Sequence, residues 1–357
     1  MMNKGKASGK LLKHAQLIVP ILAILLIAIF NLFRDPGFFS IEIATNNSGF
    51  KVLTGNLVSI LNGASELAIL AIGMTLVTAA CGGQDISVGA LAAIAGSVFV
   101  RVLRSGEAIT FGSIVLAFFA CCLVAVLFGL FNGTLVAVFK IQPMIATLVL
   151  FTCGRSIAYW INGGATPTIS SPIITAIGGF IPNVPIPTPI LIVIVCVLLC
   201  ALLFRFTTLG LYTQTVGINQ RAARLNGINA MLIKLISFMI LGACCAVSGV
   251  IAVSRLSLIN HETLLLEIEM DAILAVAIGG NALGGGKFKI AGSILGAYAI
   301  QALTITLYAM KVPSTAVQAY KAIVIVLIVV IGSPIVKDVA GRLAAKVRAA
   351  YGKGVKA

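Results

Sequence analysis

Charge is what this chain has least of. Of its 357 residues only 10% are charged, with ten acids, two histidines and one tryptophan. A soluble domain of this size would have too little polar surface to present to water. His14 and His261 fall in the N-terminal segment and in a polar connector, so no Ser–His, paired-Asp or His–metal constellation arises and no catalytic residue is nominated. The eight cysteines all sit in or at the ends of apolar stretches, without a Cys-x-x-Cys pair or a His/Cys cluster. Neither a metal site nor a disulfide framework is indicated. A phosphate-cradling loop is missing too. Gly286-Lys287 is glycine-rich, but Asn281 stands where the first glycine belongs and Phe288 where Ser or Thr belongs.

What is abundant is apolar sequence. Hydrophobic residues make up 60% of the chain, and the mean hydropathy is +1.12. A bilayer core about 30 Å thick takes roughly 20 apolar residues per helical crossing. Ten stretches qualify, over 15–33, 60–80, 87–103, 112–135, 143–161, 187–204, 232–253, 269–284, 290–309 and 321–336. The fold class expected is all-α, a polytopic transmembrane helical bundle of about ten spans. Residues 1–14 read as a basic N-terminus, 15–336 as one membrane domain and 337–357 as a basic tail. The basic head followed by Leu17–Phe33 resembles a signal peptide, but no small-residue cleavage site follows, so a retained first span is expected.

The net charge of +15 is placed beside spans rather than in a nucleic-acid-binding patch. With an even number of spans, 17 Lys and Arg fall on the side of the termini and 6 on the other. That split predicts cytoplasmic N- and C-termini, with the basic ends meeting anionic lipid of the bilayer.

Three segments break the apolar pattern in informative ways. Gly82-Gly83-Gln84-Asp85-Ile86-Ser87-Val88-Gly89 puts two glycines and an acid into an apolar run, so the helix must break there. Asp85 or Ser87 then either caps the next helix or belongs to a discontinuous helix whose break faces a transport path. Gly285-Gly286 precede Gly292 with the same spacing as Gly82-Gly83 precede Gly89, a hint of internal duplication. Arg155 either snorkels to the interface or faces the path or an ion-pair partner, for which Glu66 is a candidate. Glu269 and Asp271 open the eighth span, where acids complement a helix dipole. Finally, Gly217 and Gly227 bracket about two and a half helical turns that carry Asn219, Arg221, Ala222 and Ala223. That segment is either a solvated connector or a short helix ordered by docking into a cleft of another protein.

The residues at 82–89 resemble the Gly-Gly-Ile-Asp-Leu-Ser-Val-Gly signature of permease subunits from bacterial sugar ABC importers, the branch handling ribose, xylose and galactofuranose. Four further stretches agree in order: Ala71-Ile-Gly-Met-Thr-Leu-Val77; Asn132-Gly-Thr-Leu-Val with Lys140-Ile-Gln-Pro143 and Thr147-Leu148; Val216-Gly-Ile-Asn219 with Ala222-Ala223 and Gly227; and Glu269-Met-Asp-Ala-Ile-Leu-Ala275 with Gly279-Gly280. Gln84, Met144, Ser156 and Gln214-Thr215 depart from the family pattern. The likeness is to galactofuranose importer permeases in particular.

The resemblance implies a multi-pass subunit of the bacterial cytoplasmic (inner) membrane that binds no nucleic acid. It pairs with a second permease copy or a paralogue, with a P-loop ATPase subunit, and with an extracytoplasmic sugar-binding protein. No cofactor belongs to this chain; ATP is bound by the partner. Residues 213–228 become the coupling segment, and Asp85, Ser87, Asn132 and Arg155 become candidates for lining or shaping the path. The rival class is an ion-coupled secondary transporter, which calls for titratable carboxylates in mid-span. Those are nearly absent.

Overall fold

The computed structural model describes residues 4–45, 49–106 and 108–332, with side chains from 17 to 327. The tail expected at 337–357, the last residues of the tenth stretch and the side chains of the basic head lie outside the described residues. Helix α1 (Lys4–Arg34) is followed by a small antiparallel hairpin, β1 (Glu42–Thr45) and β2 (Lys51–Thr54), with Glu42 opposite Thr54 and Thr45 opposite Lys51. Then come α2 (Asn56–Gly63), α3 (Ser65–Cys81), α4 (Val88–Arg104), α5 (Phe111–Ala137), α6 (Pro143–Ile161), α7 (Pro172–Gly178) and α8 (Thr188–Phe206). Two short helices, α9 (Leu209–Ile218) and α10 (Gln220–Leu225), lead into α11 (Ala230–Leu256), α12 (Ile268–Ile278), α13 (Ile290–Ala309) and α14 (Ser314–Gly332). Among the described residues, those up to Ile305 form one compact unit, and those from Thr306 to the end of α14 form a second.

Among the described residues, seven helices are long and apolar enough to cross a bilayer. The polytopic helical bundle is thus present, but not every stretch is a full crossing. The eighth, expected over 269–284, is an 11-residue helix that stops at Ile278, about 16 Å of rise at 1.5 Å per residue. Gly279 and Gly280, read through as apolar, turn the chain instead, with Gly280 at φ 76°.

Helix α3 is apolar but for Ser65, Glu66, Thr75 and Thr78, which form no continuous polar face, and 16 of its 17 residues are buried. A helix without a polar face belongs inside a bundle or against lipid; here α3 is enclosed by α11, α12, α8 and α9. By contrast, α1, α5, α6 and α8 turn rows of large apolar side chains outward, such as Phe33, Phe119, Trp160 and Leu199. Those rows suit hydrocarbon.

Lipid tails are as apolar as leucine, so close packing rather than the hydrophobic effect joins such helices. Helix α11 packs most extensively on α5 and α3. On the α5–α11 seam, a Cβ on Gly242 would collide with the Ala125 carbonyl oxygen, and one on Gly129 would lie 3.2 Å from the Phe238 carbonyl carbon. Replacing Gly242 with Val is expected to cost about 1–3 kcal/mol through overpacking, read as a lower thermal midpoint of the detergent-solubilised chain.

The connectors sort to two ends. At one, Leu53 N–H donates to the Pro185 carbonyl, Ile169 N–H to Ser257, and Ile259 N–H to Pro167. At the other, Gly286 N–H donates to the Ala79 carbonyl, and Lys140, Arg221, Arg224 and Lys234 line one hollow. We call these the hairpin end and the basic end.

Candidate functional site: two broken helices and the segment that braces them

Gly82 closes α3 in the left-handed conformation (φ 65°, ψ 33°), its N–H donating to the Thr78 carbonyl at 3.0 Å. The chain then runs back into the bundle without helix. Gly83 packs on the Pro143 ring, where a Cβ would come within 2.9 Å of Cγ. Ile86 N–H donates to Thr147 Oγ1 at 3.1 Å, and Ala90 in the first turn of α4 lies against Gly154. Gly154 is about 16 Å of helix beyond Pro143, roughly half of a 30 Å bilayer core. Helix α4 therefore begins at mid-depth and runs toward the hairpin end.

The non-helical stretch is held by its own acid. Asp85 Oδ1 accepts from the Ser87 N–H at 2.7 Å and from the Ser87 hydroxyl at 2.6 Å. Asn132 Nδ2 donates to Ser87 Oγ at 3.0 Å and lies 3.4 Å from Asp85 Oδ2. Gln84 Nε2 donates to the Leu283 carbonyl at 3.0 Å. Two expectations change here. Ser87 is the N-cap residue of α4 but makes no side-chain cap bond, and Asp85 binds Ser87 rather than the helix. Asp85, Ser87 and Asn132 are also sealed from any open path within this chain, at 2%, 0% and 0% exposure. They bolt the break in place.

The second broken helix meets the first. After Ile259 the chain descends from the hairpin end in successive turns to α12, and this descent is stitched by Arg155. Its Nη1 donates to the carbonyls of His261, Glu262 and Leu264 at 2.8, 3.0 and 3.2 Å. Arg155 thus neither snorkels nor pairs with Glu66. Glu66 instead forms an ion pair with Arg255 at 3.2 Å, close to the hairpin end. The misassignment arose because the fold, not spacing along the chain, brings α11 against α3.

Glu269, in the first turn of α12, is 2% exposed and lies against Gly89, where a Cβ would collide with its Oε2. The same Cβ would sit 3.4 Å from Arg155 Nη2 and 2.9 Å from the Leu265 carbonyl oxygen. Gly89, Arg155 and Glu269 therefore share one point at mid-depth, where the N-terminal ends of α4 and α12 meet. Glu269 Oε2 and Arg155 Nη2 are both buried there without a hydrogen-bond partner among the described residues. Asp271 lies half-buried in the same turn and is not among the groups against Gly89.

The glycine turns of both breaks touch. A Cβ on Gly285 would lie 3.0 Å from Gly82 Cα, and one on Gly82 would lie 2.7 Å from the Gly284 carbonyl oxygen. Asn281 ties the second turn to α13, its Nδ2 donating to Ser293 Oγ at 2.7 Å and its Oδ1 accepting from Lys289 N–H at 2.7 Å. Ser293 Oγ in turn is hydrogen-bonded to Thr75 Oγ1 of α3 at 2.6 Å.

The segment expected as one helix between Gly217 and Gly227 is two. Asn219 adopts extended backbone (φ −155°, ψ 100°), ending α9 and capping α10; its Oδ1 accepts from the N–H groups of Arg221 and Ala222, both at 3.0 Å. Asparagine is a strong N-cap, so this joint was readable in the sequence and was missed. Gly227 ends α10 at φ 76°. Gly217 faces inward: a Cβ there would strike the Ala79 carbonyl oxygen and come within 2.6 Å of Gly286 N. Ala223 is wholly buried, packed with Val216, Ala230 and Ile233. Ala222 is half-buried and Arg221 exposed. What the segment turns outward is Ile218, Arg221, Arg224 and Leu225, the last 89% exposed. Exposed isoleucine and leucine among arginines, at the basic end, were not foreseen; only their position one turn from Asn219 and Gly227 could have signalled it.

A many-helix membrane bundle with two helices interrupted at mid-depth, and a short external segment bracing both interruptions, defines a transport subunit of the membrane. The chain belongs to the family described as the branched-chain amino acid transport system / permease component, whose model matches residues 56–332. It is 36% identical to the galactofuranose transporter permease protein of Escherichia coli (strain K12) over 88% of each chain. Identity is 32% to the fructose import permease protein of Bifidobacterium longum (strain NCC 2705), over 97% of each chain. The ribose import permease protein of Escherichia coli (strain K12) is 35% identical over 77% of this chain and 85% of its own. No solved structure matches. The chain is a permease subunit of an ABC importer, a multi-pass protein of the bacterial cytoplasmic membrane.

Proposed function

We propose that this subunit passes a monosaccharide, delivered by an extracytoplasmic binding protein, through a pair of permease copies driven by a separate P-loop ATPase. The observation that carries the coupling is the position of Gly217, whose backbone lies against both the end of α3 and the turn at Gly286. A push on α9 and α10 therefore reaches both broken helices through one contact. The ATPase docks on Ile218, Arg221, Arg224 and Leu225, an exposed apolar and basic surface at the basic end. Arginine is among the residues enriched at interface hot spots, and the exposed Ile218 and Leu225 add apolar area beside it. ATP is bound and hydrolysed by that partner, and this chain contributes no nucleotide site.

The sugar class rests on the galactofuranose, fructose and ribose relatives. A neutral polyol asks for hydrogen-bonding groups rather than for titrating carboxylates, in keeping with a chain in which Asp85 is engaged in holding its break and Glu66 in an ion pair with Arg255. In vesicles holding permease, ATPase and loaded binding protein, uptake is expected to stop on ATP depletion while an ion gradient persists. Uptake that survives depletion would return the ion-coupled reading.

Leu225→Asp places a charge on the docking surface without disturbing a buried contact. Uptake and co-purification of the ATPase are both expected to fall by about tenfold or more, as for an interface hot spot worth about 2 kcal/mol. The thermal midpoint of the isolated permease should not move. Full uptake in this variant would remove the docking role from α10.

A further inference from the structure

Beside the coupling segment, the basic end holds a hollow of about 420 Å³ lined by Lys140, Arg221, Arg224 and Lys234, together with Gln142 and Gln220. Among the described residues no carboxylate lines it. Lys234 Nζ is 3.4 Å from Gln220 Oε1, so one cation is steadied at the wall. Lys140 sits in the left-handed backbone region (φ 57°), which is uncommon for a side-chain-bearing residue. Four like charges around one space repel one another, and an anion between them relieves that repulsion.

The surroundings say which anion. Val138, Phe139 and Ile141 flank Lys140 and are exposed, at 46%, 67% and 36%. They continue the outward apolar rows of α5 and α6, which face hydrocarbon. The hollow thus lies where apolar wall gives way to cations, the level at which a bilayer carries its phosphates. Basic pockets between transmembrane helices on the cytoplasmic side bind anionic headgroups.

We propose that this hollow binds the phosphate of an anionic phospholipid headgroup of the inner leaflet. Lys140 and Lys234 hold the phosphate from the α5–α6 loop and α11, and Arg221 and Arg224 close over it from α10. Because both arginines also belong to the docking surface, the lipid would set the position of α10 on the body of the subunit.

The test is native mass spectrometry of the full-length chain in a neutral detergent, titrated with phosphatidylglycerol, phosphatidylcholine or inorganic phosphate. Phosphatidylglycerol is expected to bind at least tenfold more tightly than phosphatidylcholine, with inorganic phosphate too weak to displace it. Lys140→Gln should weaken phosphatidylglycerol about fivefold and Lys140→Gln with Lys234→Gln about 25-fold, at roughly one such factor per cation. Lys140→Arg should retain it, which separates charge from folding. Equal binding of the two lipids, or no effect of the glutamines, would overturn the proposal. So would displacement by inorganic phosphate, which would mark a free-phosphate site. Carbodiimide cross-linking of Lys140 to an ATPase carboxylate in the assembled importer would overturn it in favour of an acidic protein surface.

Discussion

Gly217→Val is expected to abolish ATP-driven uptake and to lower the thermal midpoint of the purified subunit at the same time. No side chain fits at this position, because its first carbon would strike the Ala79 carbonyl oxygen and press on Gly286 N. Both obstacles are backbone, so neither can rotate away, and overpacking of this kind costs about 1–3 kcal/mol or more. The least costly escape is for α9 to move off α3, which uncouples it from the point where Gly286 N–H bonds the Ala79 carbonyl. The chain should still insert, since no apolar run is altered. The pairing with Leu225→Asp is diagnostic: that variant loses uptake through the partner with the midpoint unchanged, whereas Gly217→Val loses it through the subunit's own interior. Normal uptake by Gly217→Val would show that α9 does not bear on the breaks.

The second large effect is expected from Arg155→Met. A single guanidinium nitrogen accounts for the side-chain bonds to three carbonyls, those of His261, Glu262 and Leu264, in a stretch with no helix of its own. Hydrogen bonds to a charged group are worth about 1.5–3 kcal/mol each, and a buried acceptor left bare adds its desolvation cost. Removing Arg155 also strips the cation beside Glu269, leaving that buried acid alone against Gly89. The expected result is uptake reduced to background, with faster amide exchange over 257–267 and little change in α5 or α8. Arg155→Lys should recover only part, because one ammonium cannot stand both at the Nη1 position against the carbonyls and at the Nη2 position beside Gly89. Wild-type exchange over 257–267 in Arg155→Met would show that other contacts hold the descent.

Much of the architecture was legible because membrane helices announce themselves by length and hydropathy. Helices α5, α8 and α11 coincide with the stretches expected at 112–135, 187–204 and 232–253 to within a few residues. The break at Gly82–Gly89 was legible for an equally local reason, two glycines and an acid in apolar surroundings. What escaped was set by distance along the chain. Arg155 and the carbonyls it binds are more than 100 residues apart, and Glu66 and Arg255 are 189 apart; no spacing rule links them. The inward face of Gly217 escaped for a related reason. A glycine beside small residues reads equally well as an opening for a partner or as room for the chain's own backbone, and only the packed α3 decides between them. Helix α12 was overdrawn because hydropathy counts Gly279 and Gly280 as neutral, whereas backbone geometry treats them as a turn.

The enclosure of α3 sets an order for biogenesis. Its principal neighbour α11 ends at Leu256, so about 175 residues must still be translated after Cys81 before that neighbour is complete. At roughly 5–20 residues per second this is on the order of 10–35 s. Throughout that interval a helix with Thr75, Thr78 and Glu66 on its surface waits among lipids or in the insertion machinery. A ribosome pausing anywhere between the two helices would prolong the wait, and quality-control proteases would find their easiest target in the nascent subunit there.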